Sequence, residues 1–293
     1  MNILILSRKR RFYSTRRLIE ECRKLKHTPL VIDPLKCILY INHKTSTILA
    51  KGIELSNIDV VVPRIGMVAV SYAISVIRQF EVMGIPVVNS NGPIARSRNK
   101  LGCLQLLAQN GIPVPETLIS RYPRNLNKLI RLIGGTPIIM KLLKGTQGTG
   151  VILSESTQSV ESVLETIWSL GEDILLQRFI KESKGRDIRV FIIGDRVAAA
   201  MRRYAKEGEF RSNIHKGGYG EPLKLSKEYE AIAIKSAKMI GLGVAGVDML
   251  ESKDGPLVIE VNSSPGFQGL EEATKLNIAK MIVEYAVKLG RMK

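Results

Sequence analysis

The N-terminal part of the chain alternates short apolar runs with longer amphipathic stretches. Strands are predicted at residues 2–6, 29–32 and 58–63, and helices, from their apolar spacing, at 15–25 and 68–83. Apolar strands separated by amphipathic helices are typical of a parallel sheet covered by helices. We therefore expect a first α/β domain that ends at an Asn-Gly-Pro turn and spans residues 1–94.

The pattern changes twice beyond this domain. A predicted helix at residues 98–109 leads into the order strand, helix, strand, glycine-rich loop, strand, helix, which is typical of a small α+β lobe. From residue 174 onward short strands dominate, before a predicted helix at 227–240. We expect the small lobe to occupy residues 95–176 and a larger lobe to occupy residues 177–293.

A hairpin is predicted near the C-terminal end, where apolar strands at residues 246–250 and 258–262 flank an Asp-Gly turn. Side chains in a strand alternate between its faces, so Glu260 and Asn262 project to one face and apolar residues to the other. A three-residue loop ending in glycine would place Asp248 directly opposite Glu260. Three oxygen-bearing side chains would then converge.

Two interpretations of this set remain open. Hard divalent cations take oxygen ligands, and magnesium is often held by one or two carboxylates together with substrate phosphates. Polar side chains at alternating positions also simply decorate the solvated face of a hairpin. Because directly opposed carboxylates are destabilising unless a positive charge lies between them, we favour a site for Mg²⁺ or Mn²⁺, with two ions expected.

A glycine-rich segment at residues 144–150 contains Gly145, Gly148 and Gly150 between two predicted strands. A glycine backbone can approach a ligand closely and present its N–H groups to phosphate. The segment is not a Walker A loop, and a strand rather than a helix follows it, so it does not match a dinucleotide-binding fingerprint either. It is either a loop that closes over a nucleotide or an ordinary flexible hairpin.

Cationic side chains accumulate at the ends of predicted strands. Lys141 ends an apolar strand, where a lysine is costly to bury without a charged partner. Arg202 and Arg203 end another strand, and Arg211 follows a short polar turn. Each of these is individually typical of a protein surface. Together with two carboxylates, an amide and a glycine-rich loop, they indicate a magnesium–nucleotide site.

The overall charge favours anionic partners, because 44 Lys and Arg against 27 Asp and Glu give a formal net charge of +17. A nucleoside triphosphate, an acidic protein tail and ribosomal RNA fit this charge equally well. The basic run at residues 8–11, followed by Arg16 and Arg17, is either a solvated surface or a contact surface. No nucleic-acid-binding signature accompanies it, and the aromatic content is only 5%.

The remaining composition excludes several classes of protein. The 293 residues can bury a substantial core. The 3 cysteines and 3 histidines form no zinc-type pattern. No run of about 18 uncharged apolar residues predicts a membrane span, and the apolar start is too short for a signal peptide. We expect a cytoplasmic enzyme.

Four segments, in order, resemble the ATP-grasp superfamily and specifically its glutamate ligases of the RimK type, which extend the carboxyl end of a small-subunit ribosomal protein. They lie at residues 144–150, 185–189, 202–213 and 260–266. The resemblance covers essentially the whole chain. It implies an ATP-grasp fold, of mixed α/β and α+β class, behind an N-terminal parallel-sheet domain.

The resemblance also implies roles for individual residues. Contacts with the phosphates and, through the backbone, with adenine are implied for Lys100, Lys141, Arg178 and Phe179. Asp187 would hold the ribose. Contacts with phosphate, a substrate carboxylate or a reaction intermediate are implied for Arg189, Arg202, Arg203, Arg211, Ser212 and Asn213. The family's magnesium ligands fall on Asp248, Glu260 and Asn262, in agreement with the hairpin argument. Arg178 is a departure, since the resemblance leads us to expect glutamate there.

The implied reaction is ligation at the expense of ATP. A substrate carboxylate attacks the γ-phosphate, and the amine of L-glutamate then attacks the acylphosphate. The acceptor would be a ribosomal-protein tail, or alternatively an anionic coenzyme of the deazaflavin or tetrahydropterin type. The family suggests a homo-oligomer, specifically a homotetramer. A different class remains open, in which the protein binds RNA or the ribosome without turnover.

Overall fold

The computed structural model describes residues 1–66, 70–120, 125–143, 150–207, 209, 212 and 217–292. Its strands are β1 (Asn2–Leu6), β2 (Thr28–Ile32), β3 (Cys37–Ile41), β4 (Ser46–Ala50), β5 (Ile53–Glu54), β6 (Val60–Pro63), β7 (Thr117–Ile119), β8 (Ile138–Leu142), β9 (Val151–Ser154), β10 (Ile174–Arg178), β11 (Arg186–Ile193), β12 (Arg196–Tyr204), β13 (Tyr219–Pro222), β14 (Val244–Ser252) and β15 (Gly255–Asn262).

The helices within the described residues are α1 (Tyr13–Lys24), α2 (Val70–Val82), α3 (Asn91–Arg98), α4 (Lys100–Gln109), α5 (Leu126–Leu132), α6 (Thr157–Ser169), α7 (Lys227–Ile240), α8 (Gln268–Thr274) and α9 (Ile278–Arg291). Short 3-10 helices lie at Pro34–Lys36 and Lys181–Ser183. None of the helices described combines the length and the apolar character needed to cross a membrane.

The N-terminal sheet has the strand order β2-β1-β6 and is parallel, as the sequence predicts. Strand β1 is buried on both faces, with Ile3 and Ile5 in one core and Leu4 and Leu6 in another. Helices α1 and α9 cover the first face, and α2 covers the second. The last helix of the chain therefore packs on the first sheet.

A small antiparallel sheet of order β3-β4-β5 was not predicted. Its first strand is apolar at every position, so it lacks the alternation that marks a half-buried strand. Ile38 and Tyr40 remain exposed on it.

The small lobe is an antiparallel sheet of order β7-β10-β8-β9. Helices α5 and α6 pack on it around Ile138, Met140 and Leu164. The predicted order of strand, helix, strand, strand and helix is observed here.

The large lobe is an antiparallel sheet of order β13-β12-β11-β14-β15. Helices α4 and α7 cover one of its faces, where Ile188, Val190 and Val247 are buried. The other face joins the core of the N-terminal domain through Phe191 and Met201. Toward the opposite strand ends this second face becomes polar, and the candidate site lies there.

Asn89 connects the N-terminal domain to the hairpin of the large lobe. Its Nδ2 donates to the carbonyl oxygens of Val244 (2.6 Å) and Ser263 (2.8 Å), and the Val244 N–H donates to its Oδ1 (2.9 Å). Val244 begins β14 and Ser263 directly follows β15. One buried side chain thus fixes the start of one hairpin strand and the end of the other.

Candidate active site

Asp248 and Glu260 pair across β14 and β15 as predicted, but the loop and the strand register that bring them together differ from the prediction. Ser252 pairs with Gly255, so the loop has two residues rather than three. Ile259 is an extra residue that forms a β-bulge next to Glu260 and shifts the register by one position. The short loop without this bulge would place Ile259, not Glu260, opposite Asp248. The bulge therefore sets the geometry of the site.

Two arginines bind the Asp248 carboxylate. Arg189 is its cross-strand neighbour and forms a bidentate contact, with Nε–Oδ1 at 2.7 Å and Nη2–Oδ2 at 2.6 Å. Arg203 Nη2 lies 3.1 Å from the same Oδ2. Arg203 also binds both oxygens of Asp187 at 2.6 Å each, again from the directly opposite strand position. The four side chains form a continuous ionic row across β11, β12 and β14.

The two opposed carboxyl groups differ in charge balance. Burial alone would raise the pKa of Asp248, but Arg189 and Arg203 outweigh it and hold that pKa below its ordinary value. The protein atoms that crowd Glu260 raise its pKa by displacing part of its water, and the nearby Asp248 carboxylate raises it further. Glu260 keeps solvent contact because it faces a cavity, yet protein atoms surround it on the other sides. Glu260 is thus the acid that still needs a cation.

Lys100 and Lys141 bring two ammonium groups near this acid. Lys141 Nζ donates to Gln177 Oε1 at 2.7 Å, and Lys100 Nζ donates to the Leu142 carbonyl at 2.9 Å. Burial lowers the pKa of Lys141 to about 8, with Lys100 contributing in the same direction, and burial also lowers the pKa of Lys100. No carboxylate among the described residues forms an ion pair with either lysine. An anionic ligand such as phosphate would complete both.

The residues present fit a magnesium ion. Asn262 Nδ2 lies 3.4 Å from Asp248 Oδ2, which leaves the amide oxygen of Asn262 for another partner. Two carboxylates and one amide oxygen form a donor set that suits Mg²⁺ when phosphate oxygens and water complete it. The described residues hold no group of three or more His, Cys, Asp or Glu side chains that could bind a metal by themselves.

Two predicted residues have other partners than expected. Arg202 lies on the opposite face of β12 from Arg203 and forms a bidentate contact with Glu251 (3.2 and 2.7 Å). The phosphate or carboxylate contact implied for Arg202 stays a prediction. Asp187 is 6% exposed and both its oxygens accept hydrogen bonds from Arg203, and the ribose contact implied for it stays a prediction. Asp187 positions Arg203.

The predicted adenine contacts lie at the end of β10. The Arg178 N–H donates to the Glu116 carbonyl at 2.9 Å, and its Nη1 contacts Glu116 Oε1 at 2.9 Å. The Arg178 N–H is therefore occupied within the protein. Phe179 directly follows this strand and is partly buried.

Part of the predicted loop set lies outside the described residues, namely Gly145, Gly148, Arg211 and Asn213. Gly150 is described, has a φ of +75°, and accepts a hydrogen bond from the Leu142 N–H (2.9 Å). A Cβ at Gly150 would lie 2.8 Å from Leu142 Cδ1, so the position requires glycine. Ser212 is described and is 8% exposed.

A cavity of about 880 Å³ connects these groups to the N-terminal domain. Its predicted lining residues are Lys100, Arg189, Arg203, Asp248, Glu260 and Asn262. The side formed by the N-terminal domain was not predicted and includes Tyr13, Thr15 and Arg64; Ser264 and Phe267, in the loop after β15, also line the cavity. A signal for it was present in the sequence, because ligands of parallel sheets bind beyond the carboxyl ends of the strands, where both Thr15 and Arg64 fall.

Two antiparallel lobes that enclose paired lysines and opposed carboxylates, behind a parallel-sheet domain, define a ligase of the ATP-grasp class. Family models agree with this architecture. A RimK PreATP-grasp domain matches residues 1–94, and a RimK-like ATP-grasp domain matches residues 97–286. The chain belongs to the RimK-like ATP-grasp family.

Relatives within the family are similar over nearly their full length. A probable alpha-L-glutamate ligase of Vibrio vulnificus is 49% identical over 98% of this chain and 96% of its own. Another, of Methanococcoides burtonii, is 47% identical over 100% and 97%. Among solved structures, the ATP-grasp ligase PsnB with a minimal precursor, Mg and ADP shares the fold, with a TM-score of 0.78 and 20% identity over 99% and 98% of the chains.

Proposed function

We propose that this protein is an ATP-dependent ligase that joins L-glutamate to the C-terminal carboxylate of a small-subunit ribosomal protein, with release of ADP and phosphate. The observation that carries the proposal is one cavity that contains two opposed carboxylates and adjoins two lysines that form no ion pair with any described carboxylate. The names of the full-length relatives support glutamate as the amine. The net charge of +17 supports an acidic or ribosome-associated acceptor.

The reaction needs positioning and charge neutralisation rather than a protein nucleophile. Lys100 and Lys141 hold the phosphates of ATP. Arg189 and Arg203 keep Asp248 ionised and fixed. When bound by Asp248, Glu260 and Asn262, Mg²⁺ would neutralise the charge that develops on the phosphoryl oxygens.

The bond changes follow in two steps. An acceptor carboxylate oxygen attacks the γ-phosphorus, the bond to the bridging oxygen of ADP breaks, and an acylphosphate forms. The uncharged amine of glutamate then attacks the acyl carbon, the phosphate leaves, and the nitrogen loses a proton as the amide forms. The cavity must hold the acylphosphate away from bulk water between the two steps.

A peptide acceptor is favoured over a coenzyme by one comparison. PsnB shares this fold and was solved in complex with its precursor peptide, which supports a polypeptide as the acceptor. Anionic coenzymes would also be attracted by the charge and are tested in the same assay. We further propose that the enzyme acts in the cytoplasm as a homo-oligomer.

The test measures ADP release with Mg²⁺, ATP and glutamate, with and without a peptide from the carboxyl end of a ribosomal protein, followed by mass spectrometry of the peptide. We expect release that depends on the peptide and mass steps of one glutamate residue. Turnover only with a glutamyl coenzyme would instead identify the coenzyme as the acceptor. Tight, steeply salt-dependent RNA binding without ADP release would instead indicate a binding protein.

A further inference from the structure

We infer that Arg64 binds the side-chain carboxylate of the incoming glutamate and so selects an acidic amino acid as the amine substrate. The inference rests on the proposed ligase function. Arg64 directly follows β6, at the carboxyl edge of the parallel sheet where ligands of α/β proteins bind. It lines the same cavity as Asp248 and Glu260.

Arg64 is held in one orientation by two contacts with the large lobe. Its Nη2 donates to the Pro265 carbonyl at 2.7 Å, and its guanidinium carbon lies 5.5 Å from the centre of the fully buried Phe267 ring. Stacking of this kind is favourable and leaves the edge of the guanidinium group available. The Pro265 carbonyl is the one hydrogen-bond acceptor of the Arg64 side chain among the described residues, and the buried Nε has none. A planar donor group is therefore fixed while part of its bonding capacity is unused.

The charge of Arg64 is also uncompensated. Arg189 and Arg203 each bind a carboxylate, whereas Arg64 forms no ion pair with any acid that the structure describes. Burial lowers the pKa of Arg64 to about 10, which still leaves it cationic at neutral pH. A partly buried cation without a counter-charge is costly, and an anionic ligand would remove that cost.

Neighbouring groups add to this anion-binding character. The Ser264 Oγ is buried, lines the cavity and has no partner among the described residues. The first turn of helix α1 contributes Tyr13, Ser14 and Thr15 to the lining of the same cavity and carries no acidic residue. The start of a helix presents partial positive charge. The groups around Arg64 come from the N-terminal domain and from the loop after β15, whereas Lys100 lies on α4 and Lys141 on β8.

The position of this site fits glutamate better than the reacting acceptor group. The carboxylate to be activated must lie at the phosphates, beside Glu260 and the two lysines. Arg64 contacts Pro265, in the loop that follows Asn262. Glutamate whose amine attacks the acylphosphate beside Glu260 has a second carboxylate at the end of its side chain, away from the reacting amine. Bidentate arginine–carboxylate contacts distinguish a carboxylate from an amide of the same shape.

The experiment compares glutamate with glutamine as the amine substrate in the wild type, Arg64→Gln and Arg64→Lys, with saturating acceptor. We expect Arg64→Gln to lower kcat/KM for glutamate by about 10- to 100-fold, mainly through KM, because a hydrogen-bonded charge pair is lost. The KM for ATP should not change. The preference for glutamate over glutamine should fall by a similar factor, and Arg64→Lys should retain most of it.

Arg17→Gln is the matched control. Arg17 also joins the N-terminal domain to the large lobe, through Glu271 (3.1 Å) and Asn277 (3.0 Å), but it is not among the residues that line the cavity. Its loss should lower the melting temperature and leave the glutamate-to-glutamine preference unchanged. Arg64→Lys keeps the charge, and so reports on selectivity even if the glutamine variant folds poorly.

The inference is overturned if Arg64→Gln retains the wild-type preference, or if it raises the KM for the acceptor instead. These outcomes differ from a failure of the proposed function. In that case the wild type itself would not join glutamate to any acceptor, and no preference would exist to be lost.

Discussion

Asp248 and Glu260 lie directly opposite each other on neighbouring strands, yet their pKa values shift in opposite directions. Arg189 and Arg203 bind Asp248, whereas no ion pair to Glu260 occurs in the part of the chain that the structure describes. The protein itself neutralises one carboxylate and leaves the other to a ligand. The two residues should therefore respond differently to substitution.

Asp248→Asn should lower the free energy of unfolding by about 3 kcal/mol, because it leaves the partly buried guanidinium of Arg189 without its counter-charge. ADP formation should be abolished. Urea unfolding without nucleotide or metal measures the first effect. A variant as stable as the wild type would contradict the structural role of this ion pair, and an active variant would contradict the metal assignment.

Glu260→Gln should also abolish ADP formation but should raise the stability of the ligand-free protein. The raised pKa of Glu260 means that its ionised form is disfavoured in the folded state. The wild type therefore loses stability as pH rises from about 4.3, the ordinary value for glutamate, through the higher folded value. The variant should lack this loss, as melting temperatures across that range would show. If Mg²⁺ with ADP stabilised the wild type and Glu260→Gln equally, Glu260 would not be a metal ligand.

Lys141 should make nucleotide binding dependent on pH. Its pKa of about 8 in the free protein means that it loses its proton above that pH, and binding a phosphate must then restore the proton. The affinity for ADP with Mg²⁺ should therefore fall as pH rises, by about tenfold at pH 9. Isothermal titration calorimetry from pH 7 to pH 9 measures this.

Lys141→Met should bind the nucleotide more weakly at pH 7 and lose the pH dependence. Lys128→Met, on the exposed side of α5, is the control for removing a positive charge from the same lobe. The assignment fails if Lys141→Met keeps the wild-type slope, since another group would then be titrating.

Asp187→Asn should act through Arg203 rather than through the ribose. Removing the carboxylate leaves a buried guanidinium with only the 3.1 Å contact to Asp248, and the protein should lose about 2–3 kcal/mol of stability. Turnover should fall equally with ATP and with 2′-deoxy-ATP. A loss confined to ATP would instead support the ribose contact that the family resemblance implies.

Much of the fold could be predicted because its signals are local. The apolar runs of β1 and β6 predict a parallel sheet, and the helix predicted at residues 227–240 matches α7. Pairing of Asp248 with Glu260 was predicted correctly, although the loop is one residue shorter than predicted and a one-residue bulge compensates for it. The expected boundary between the two lobes at residue 176 stays a prediction.

Side-chain partners depend on tertiary contacts and were harder to predict. Arg202 and Arg203 are adjacent, so strand alternation places only one of them at the site, and the sequence does not indicate which. In the structure Arg202 pairs with Glu251 on the other face of the sheet, whereas Arg203 lines the cavity. Arg64 was missed because its contact with Pro265 spans 201 positions in the sequence.

Arg178 provides a last prediction, since it occupies a position where the family resemblance suggests glutamate. Its side chain pairs with Glu116 at 2.9 Å, and the two are 37% and 50% exposed, so this ion pair contributes little to stability. Arg178→Glu alone would bring two carboxylates together, and the repulsion would mask any new contact with adenine. Combined with Glu116→Gln, it should tighten ATP binding by about fivefold, or about 1 kcal/mol, if a side-chain acceptor contributes. Glu116→Gln alone is the control and should leave the affinity unchanged. An unchanged affinity in the double variant would mean that the main chain suffices to recognise adenine.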